Sequence, residues 1–434
     1  MTSPAPDRRP IRLLSRWGMP PVEGRGRPLL SIVLDTFGAS LFLPISLLFF
    51  LGTTDLSASR IGLLLTLSTL LSLPFGVLAG EVVQRYGPTR SMIFNNAGSA
   101  VGYALYLVVD GELGIFTGMF VVALSERLFL ACWPPFLKQL AADAPFESWF
   151  SFLESLKAGC FVVGGAIAAL AIADGNVTAM KWLIVCNIAS SLAGAAILIR
   201  HRPDGAFRKP SRGQGMREWL ALLRDRPSVL LGVGNILFAP VLLMSAFVFP
   251  IVFVRDWGQP AWLVPALITF AYVLVMLAQP PVTRLTGRRP RSVSLIGCTV
   301  TTCAALVLLL VHSRSGAPAP GPEVGLVVAV VVTILLTITG MLYFPHVNAI
   351  LLDLAGPSGM GRSAAFFHTG TTLGNAIAPA FLTWLIAGPE VLWTVLAGIS
   401  LVSLYCLLAA DRMAPARSSE PEHQEAQEAQ GQAV

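Results

Sequence analysis

Residues 80 to 90 read GEVVQRYGPTR and stand between two apolar runs. About 200 residues later a similar turn, RLTGRRPR at 284 to 291, stands between two more. A turn that recurs at that interval marks a chain built from two copies of one unit. Working outward, Asp35 corresponds to Asn235, and PPFLKQLAAD at 134 to 143 answers FPHVNAILLD at 344 to 353, which matches Pro135 with Pro345 and Asp143 with Asp353. The glycines Gly159 and Gly164 answer Gly370 and Gly374.

The runs flanking these turns are suited to a bilayer. Of the 434 residues, 54% are hydrophobic and only 12% charged, against about 25% charged in an ordinary soluble domain. A helix rising 1.5 Å per residue needs about 20 apolar residues to cross the roughly 30 Å hydrocarbon core. Twelve stretches qualify: 28 to 52, 61 to 81, 91 to 109, 114 to 137, 149 to 173, 178 to 199, 228 to 254, 260 to 283, 292 to 312, 323 to 346, 362 to 387 and 390 to 410. The third and ninth are the weakest. The first is too long for a signal peptide and lacks a cleavage site, so it reads as a span that stays.

The sequence therefore predicts an all-α membrane protein of twelve transmembrane helices in two six-helix repeats. Its expected parts are an N-terminal segment (1–27), a first bundle (28–199), a linker (200–227), a second bundle (228–410) and a polar tail (411–434). Within the linker, Met216 to Leu223 reads as a short surface helix, with Trp219 against lipid headgroups. With the N-terminus inside, 24 Lys and Arg fall in cytoplasmic segments, four on the other side and two within spans. This bias makes both termini cytoplasmic. Only four of the thirty basic residues are Lys, a pattern expected of a GC-rich bacterial coding sequence. A multi-pass protein of a bacterial cell membrane follows as the expectation.

Several function classes drop out. The net charge of +6 comes from bases in short connectors between spans, so it sets orientation and does not point to nucleic acid. The six cysteines all lie in apolar runs with no CxxC pair, and read as small buried hydrophobes. No phosphate loop, metal-spaced cluster or appended soluble domain is present, so an enzyme, an ATP-driven pump and a cofactor are not expected, and nothing demands more than a monomer.

The loop at 80 to 90 resembles the signature loop of the major facilitator superfamily: a glycine, then an acid and Arg, then glycine and a basic cluster. Gly80, Arg85, Gly87 and Arg90 match, while Gln84 stands where that family has Asp, and Pro88 and Thr89 replace bases. The second copy keeps Gly287, Arg288 and Arg289, with Arg284 at the acid position. The resemblance covers residues 28 to 410 and implies alternating access between two halves, with this loop latching them on the cytoplasmic side. Without the acid, the latch is lost or passes to Glu81 one turn earlier.

Charges inside the spans are the candidate site, since a charge in hydrocarbon costs roughly 2.5 kcal/mol or more. Arg127 lies about 15 Å above the cytoplasmic end of span 4, Glu154 and Lys157 about 7 and 12 Å up span 5, and Asp35 about 10 Å up span 1. Glu126 and Arg127 point about 100° apart and need separate partners. The expectation is that Lys157 or Arg127 neutralises Glu126, that Arg127 also reaches Glu154, and that Asp35 faces the cavity with the least compensation. Asp35 is then the first candidate proton carrier and Glu126 the second. The opposing reading makes Glu126, Arg127, Glu154 and Lys157 a neutral network that joins spans 4 and 5.

Trp133, Asn235, Phe238, Tyr343, His346 and His368 are candidate cavity residues, and Asn348 is a further hydrogen-bonding group. A lone histidine such as His346 more commonly hydrates or caps a helix end. The glycines of spans 5 and 11 equally suit plain helix packing. The sequence thus favours a secondary transporter that exports a lipophilic or amphipathic small molecule in exchange for protons. The alternative is a symporter or facilitator for a polar nutrient, which would need more hydrogen-bonding groups on spans 1, 7 and 10.

Overall fold

The computed structural model describes residues 24 to 108, 111 to 142, 144 to 172, 177 to 201, 221 to 260, 262 to 287, 289 to 314, 322 to 386 and 389 to 414, with 19, 20 and 22. Arg288, Asp143, and most of the N-terminal segment, linker and polar tail lie outside these. Among the described residues the chain is helical, with no strand. Lipid offers the backbone no partners, and helices satisfy every peptide group from within.

Span 1 is Gly26–Phe42 and Ser46–Thr53, span 2 is Ala58–Ser72 and Phe75–Tyr86, and each pair is bent, by 50° and 53°. Spans 3 to 6 are Pro88–Val108, Gly111–Ala141, Phe146–Ile172 and Val177–Ile199. Span 7 runs from Arg226 through Leu242 and Met244–Phe247 into a π-helical turn, Pro250–Asp256. Spans 8 and 9 are Leu263–Thr286 and Arg291–Arg314, and span 12 is Pro389–Met413. Eight helices among the described residues are long and apolar enough to cross a membrane, or ten if each bent pair counts as one. The third and eleventh stretches fall short of that measure, whereas the ninth, one of the two weakest in sequence, meets it as a span. Polar groups dilute span 3, whose Asn95 and Asn96 bond to each other at 2.9 Å within the bundle.

Spans 10 and 11 form one unbroken helical run, Pro322–Leu385, of 64 residues. Straight, it would extend about 96 Å, three times the bilayer core. It cannot be straight, because Tyr343 and Thr371, which a straight helix would hold roughly 42 Å apart, both hydrogen-bond the side chain of Asn235. The run is therefore a hairpin that reverses between them, and its two arms are two spans.

Gly87 closes span 2 at φ +87°, a conformation that glycine adopts without strain, and its N–H caps Val83. Its counterpart Gly287 is right-handed, so the two turns share sequence and differ in backbone. Glycines elsewhere set helix spacing. A Cβ on Gly38 would meet Ser190 Oγ at 1.8 Å, and one on Gly164 would meet Ser40 Oγ at 1.8 Å. Hydrophobic packing divides unevenly between the ends of the molecule. At the Gly87 end one core draws on both halves, with Val83, Trp149 and Leu153 packed among Ala349, Leu352 and Ala365. At the opposite end of the first half the core, around Phe42, Phe49 and Ile184, belongs to that half alone.

Candidate functional site

At the Gly87 end, Arg362 of span 11 holds both oxygens of Glu81, at 2.5 and 3.1 Å. The chain distance between them is 281 residues, so this fork joins the halves. It takes the place left by Gln84, which is buried with its Nε2 unpartnered. Beside the fork the backbones nearly touch: a Cβ on Gly361 would lie 3.2 Å from the Gly80 carbonyl oxygen. Arg85 lies against the Tyr86 ring at 5.4 Å, and Arg90 is exposed.

A second join gathers on Arg291, which contacts Asp353 at 2.6 Å, Glu147 at 3.3 Å and Asp411 at 3.6 Å. One guanidinium thus ties spans 9, 10 and 12 to the start of span 5 in the other half. A third lies deeper, where Ser151 meets Thr283 at 2.5 Å and Gln279 donates to Ser151 at 3.4 Å and to the Met341 carbonyl at 3.2 Å. Ser155 donates to the carbonyl of Met276 just above.

The mid-depth charges are partnered only partly as expected: Glu126 forms the expected ion pair with Arg127, at 3.8 Å, while the others find different partners. Span 4 continues to Ala141, which places Arg127 about 21 Å from that end. Arg127 is buried and donates to Thr372 of span 11. It does not pair with Glu154, and its Nε has no partner. Glu126 keeps 58% of its side chain exposed, and its nearest base is Arg127 at 3.8 Å, beyond hydrogen-bond length. Lys157 pairs with Glu154 at 2.9 Å and not with Glu126, because the i and i+3 positions of one helix share a face. Its ammonium also lies 4.9 Å from the Trp133 ring centre. Asp35 is half-buried and accepts from Ser191 of span 6 at 3.0 Å, a bond within its own half.

The candidate residues of the second half bond among its own helices. Tyr343 donates to Asn235 at 2.7 Å, Asn235 donates to Thr371 at 2.5 Å, and Phe238 stacks on Tyr343 with centroids 4.5 Å apart. Asn235, Phe238 and Tyr343 are 4% exposed or less, and with Thr371 they bind spans 7, 10 and 11 together, off the cavity. His346 is buried with Nδ1 2.7 Å from the Leu342 carbonyl. His368 sits one turn from Thr372, with Nε2 unpartnered.

A cavity of about 430 Å³ lies between span 5 of the first half and spans 7, 8 and 10 of the second. Glu154 and Lys157 form its charged wall, and Gln279 sits over the Ser151 join at its Gly87 end. Phe161 and Tyr272 stack across the two halves at 5.2 Å and 7° in the same cavity. Sequence reading missed Arg362, Arg291, Thr372, Tyr272 and Phe161, each of which gains its partner only when distant helices meet. Among the described residues no group of three or more His, Cys, Asp or Glu is arranged to hold a metal.

The sequence profile of the Major Facilitator Superfamily matches residues 29–367 and 263–433. No curated protein matches the sequence. Among solved structures, the chain is similar to a crystal structure of FucP, a major facilitator superfamily transporter, in the outward conformation, at 15% identity and a TM-score of 0.66, covering 88% of this chain and 98% of that one; another FucP structure is described as the E. coli fucose:proton symporter. The human organic anion transporter MFSD10 (TETRAN) is similar at 16% identity and a TM-score of 0.63, over 88% of this chain and 98% of that one. A bacterial homologue of the iron transporter ferroportin, outward-facing with soaked iron, is similar at 12% identity and a TM-score of 0.66, over 90% and 98%. With two fused six-helix halves, a cavity between them and a family match across nearly the whole chain, this protein belongs to the major facilitator superfamily and is a transporter, not an enzyme.

Proposed function

We propose that this chain is a secondary active transporter, working by alternating access, that couples export of a lipophilic or amphipathic small molecule to protons. The observation that carries the substrate class is the cavity wall: Phe150, Phe161, Phe249, Phe344 and aliphatic side chains surround a single ion pair. Most hydroxyls in that wall are already used, as Thr333 donates to the Ala329 carbonyl at 2.8 Å and Thr337 to that of Thr333 at 2.7 Å. A sugar-like substrate would leave its own hydroxyls desolvated there without partners.

The bias of bases puts the Gly87 end in the cytoplasm. The joins at that end, through Arg362, Arg291 and Gln279, then describe a state closed towards the cytoplasm and facing outward. The exposed, poorly paired Glu126 and the half-buried Asp35 are the proton-carrying candidates on this reading, and the protein acts as a monomer in a bacterial cell membrane. The test is proton movement in proteoliposomes containing a pH-sensitive dye, with lipophilic and amphipathic compounds added under an imposed gradient. Wild type dissipates the gradient with at least one compound, and Asp35→Asn or Glu126→Gln abolishes that response. Solute equilibration with no proton flux would overturn the coupling.

A further inference from the structure

The Glu154–Lys157 pair is asymmetric, and the asymmetry bears on which charge the cavity accepts. Lys157 has two partners, the Glu154 carboxylate at 2.9 Å and the face of Trp133 at 4.9 Å. Glu154 has one cation, Lys157, among its described partners. Both line the cavity and both remain partly exposed, at 30% and 23% of their side chains.

A ligand anion that drew Lys157 away would strip Glu154 of that cation and leave a carboxylate uncompensated in a poorly hydrated wall. A ligand cation that drew Glu154 away would leave Lys157 still resting on the indole. The second exchange leaves no charge stranded. The rest of the wall agrees, because Phe161 and Tyr272 line the cavity stacked on each other at 5.2 Å, and the electron-rich outer face of either ring would attract a desolvated cation and repel an anion.

We propose that this cavity is a binding site for a lipophilic aromatic cation, with Glu154 as its counter-ion and Lys157 displaced onto Trp133. The assignment rests on the transporter reading above and names the substrate class of the same site. A volume of about 430 Å³ suits one drug-sized molecule. The counter-ion comes from span 5 of the first half and Tyr272 from span 8 of the second. A bound cation therefore bridges the halves, and its affinity depends on their closure.

The test uses two ions of one shape and opposite charge, tetraphenylphosphonium and tetraphenylborate, titrated calorimetrically against the full-length protein in nanodiscs with empty nanodiscs as the blank. The phosphonium binds at least tenfold more tightly than the borate. Glu154→Gln weakens it tenfold or more, and Trp133→Leu weakens it severalfold although the carboxylate remains. Lys157→Met strengthens it, since a competing cation is gone, whereas a merely structural ion pair predicts the opposite sign. Preferential binding of the borate, or a loss of phosphonium binding in Lys157→Met, overturns the proposal. Unchanged phosphonium binding in Glu154→Gln also overturns it, and if proton-coupled transport of other solutes persists in that variant the transporter reading survives the failure. Absence of transport in wild type sinks that reading separately, because the charge preference is read from binding alone.

Discussion

Asp35 and Asn235 occupy the same place in the two copies and differ only in an amide for a carboxylate, yet their surroundings diverge. Asp35 is half-buried with a single hydroxyl, that of Ser191, on its carboxylate. Asn235 is 4% exposed and uses both ends of its amide, accepting from Tyr343 and donating to Thr371. The same contrast runs through the halves. The first keeps Glu126, Arg127, Glu154 and Lys157 at mid-depth, while the second fills the matching depth with neutral networks, including Thr339 between Thr301 and Thr302 at 2.8 and 3.1 Å. Neutral hydrogen bonds fix a core without a titrating group, and charges can be exchanged. The first half holds charges that can exchange partners, and the second holds a neutral, hydrogen-bonded frame.

The largest expected effect tests the frame. Asn235→Leu orphans the Tyr343 hydroxyl in a buried site and crowds the space around it, costing roughly 3 kcal/mol. Thermal unfolding in detergent should show a clear drop in midpoint, and an unchanged midpoint would break the comparison. Next, Arg362→Ala removes the fork on Glu81. That acid is 37% exposed, so the loss is discounted from the value for a fully buried pair to about 2 kcal/mol. A cysteine placed at the buried Val83 should then react with an impermeant maleimide about thirtyfold faster from the Gly87 side.

Smaller effects sharpen the contrast. Ser151→Ala removes the hydroxyl shared by Thr283 and Gln279, and should cost about 1 kcal/mol of closure, read as a roughly fivefold rise in the same labelling assay. Smallest in stability is Asp35→Asn, because an amide oxygen still accepts from Ser191: under about 0.5 kcal/mol by thermal unfolding, with proton flux lost. A large drop in unfolding midpoint would make Asp35 part of the frame.

Much of the fold was legible because its signals are local. Hydrophobic length marks the spans, and the turn at Gly87 and its echo mark the repeat; the i, i+3 pairing of Glu154 with Lys157 was equally local but was passed over for partners on span 4. Glu81 was readable as an alternative latch acid, since it lies one turn from Gln84. Its partner was not, because Arg362 stands 281 residues away and hydropathy does not set the rotation of span 11 against span 2. The second partner expected for Arg127, Glu154, was misassigned for the same reason. Depth along span 4 was readable, but burial turns its side chain across the interface to Thr372, while Glu154 had already found Lys157. Asn235 and Tyr343 look like cavity groups in sequence because polarity in a span signals either function or a satisfied core, and the choice depends on whether a partner arrives from another helix.

The bend in span 2 has a mechanical consequence. Its two segments, Arg60–Ser72 and Phe75–Tyr86, meet at 53° around Pro74, which removes a backbone donor at the joint. Below the joint the rod carries Glu81 and is clamped to Arg362 of the other half; above it the rod packs Ile61 and Leu64 into the core that belongs to the first half alone, while Leu63, Leu65 and Leu71 face outward. The joint at Pro74 therefore stands between a segment tied to both halves and one packed within the first alone.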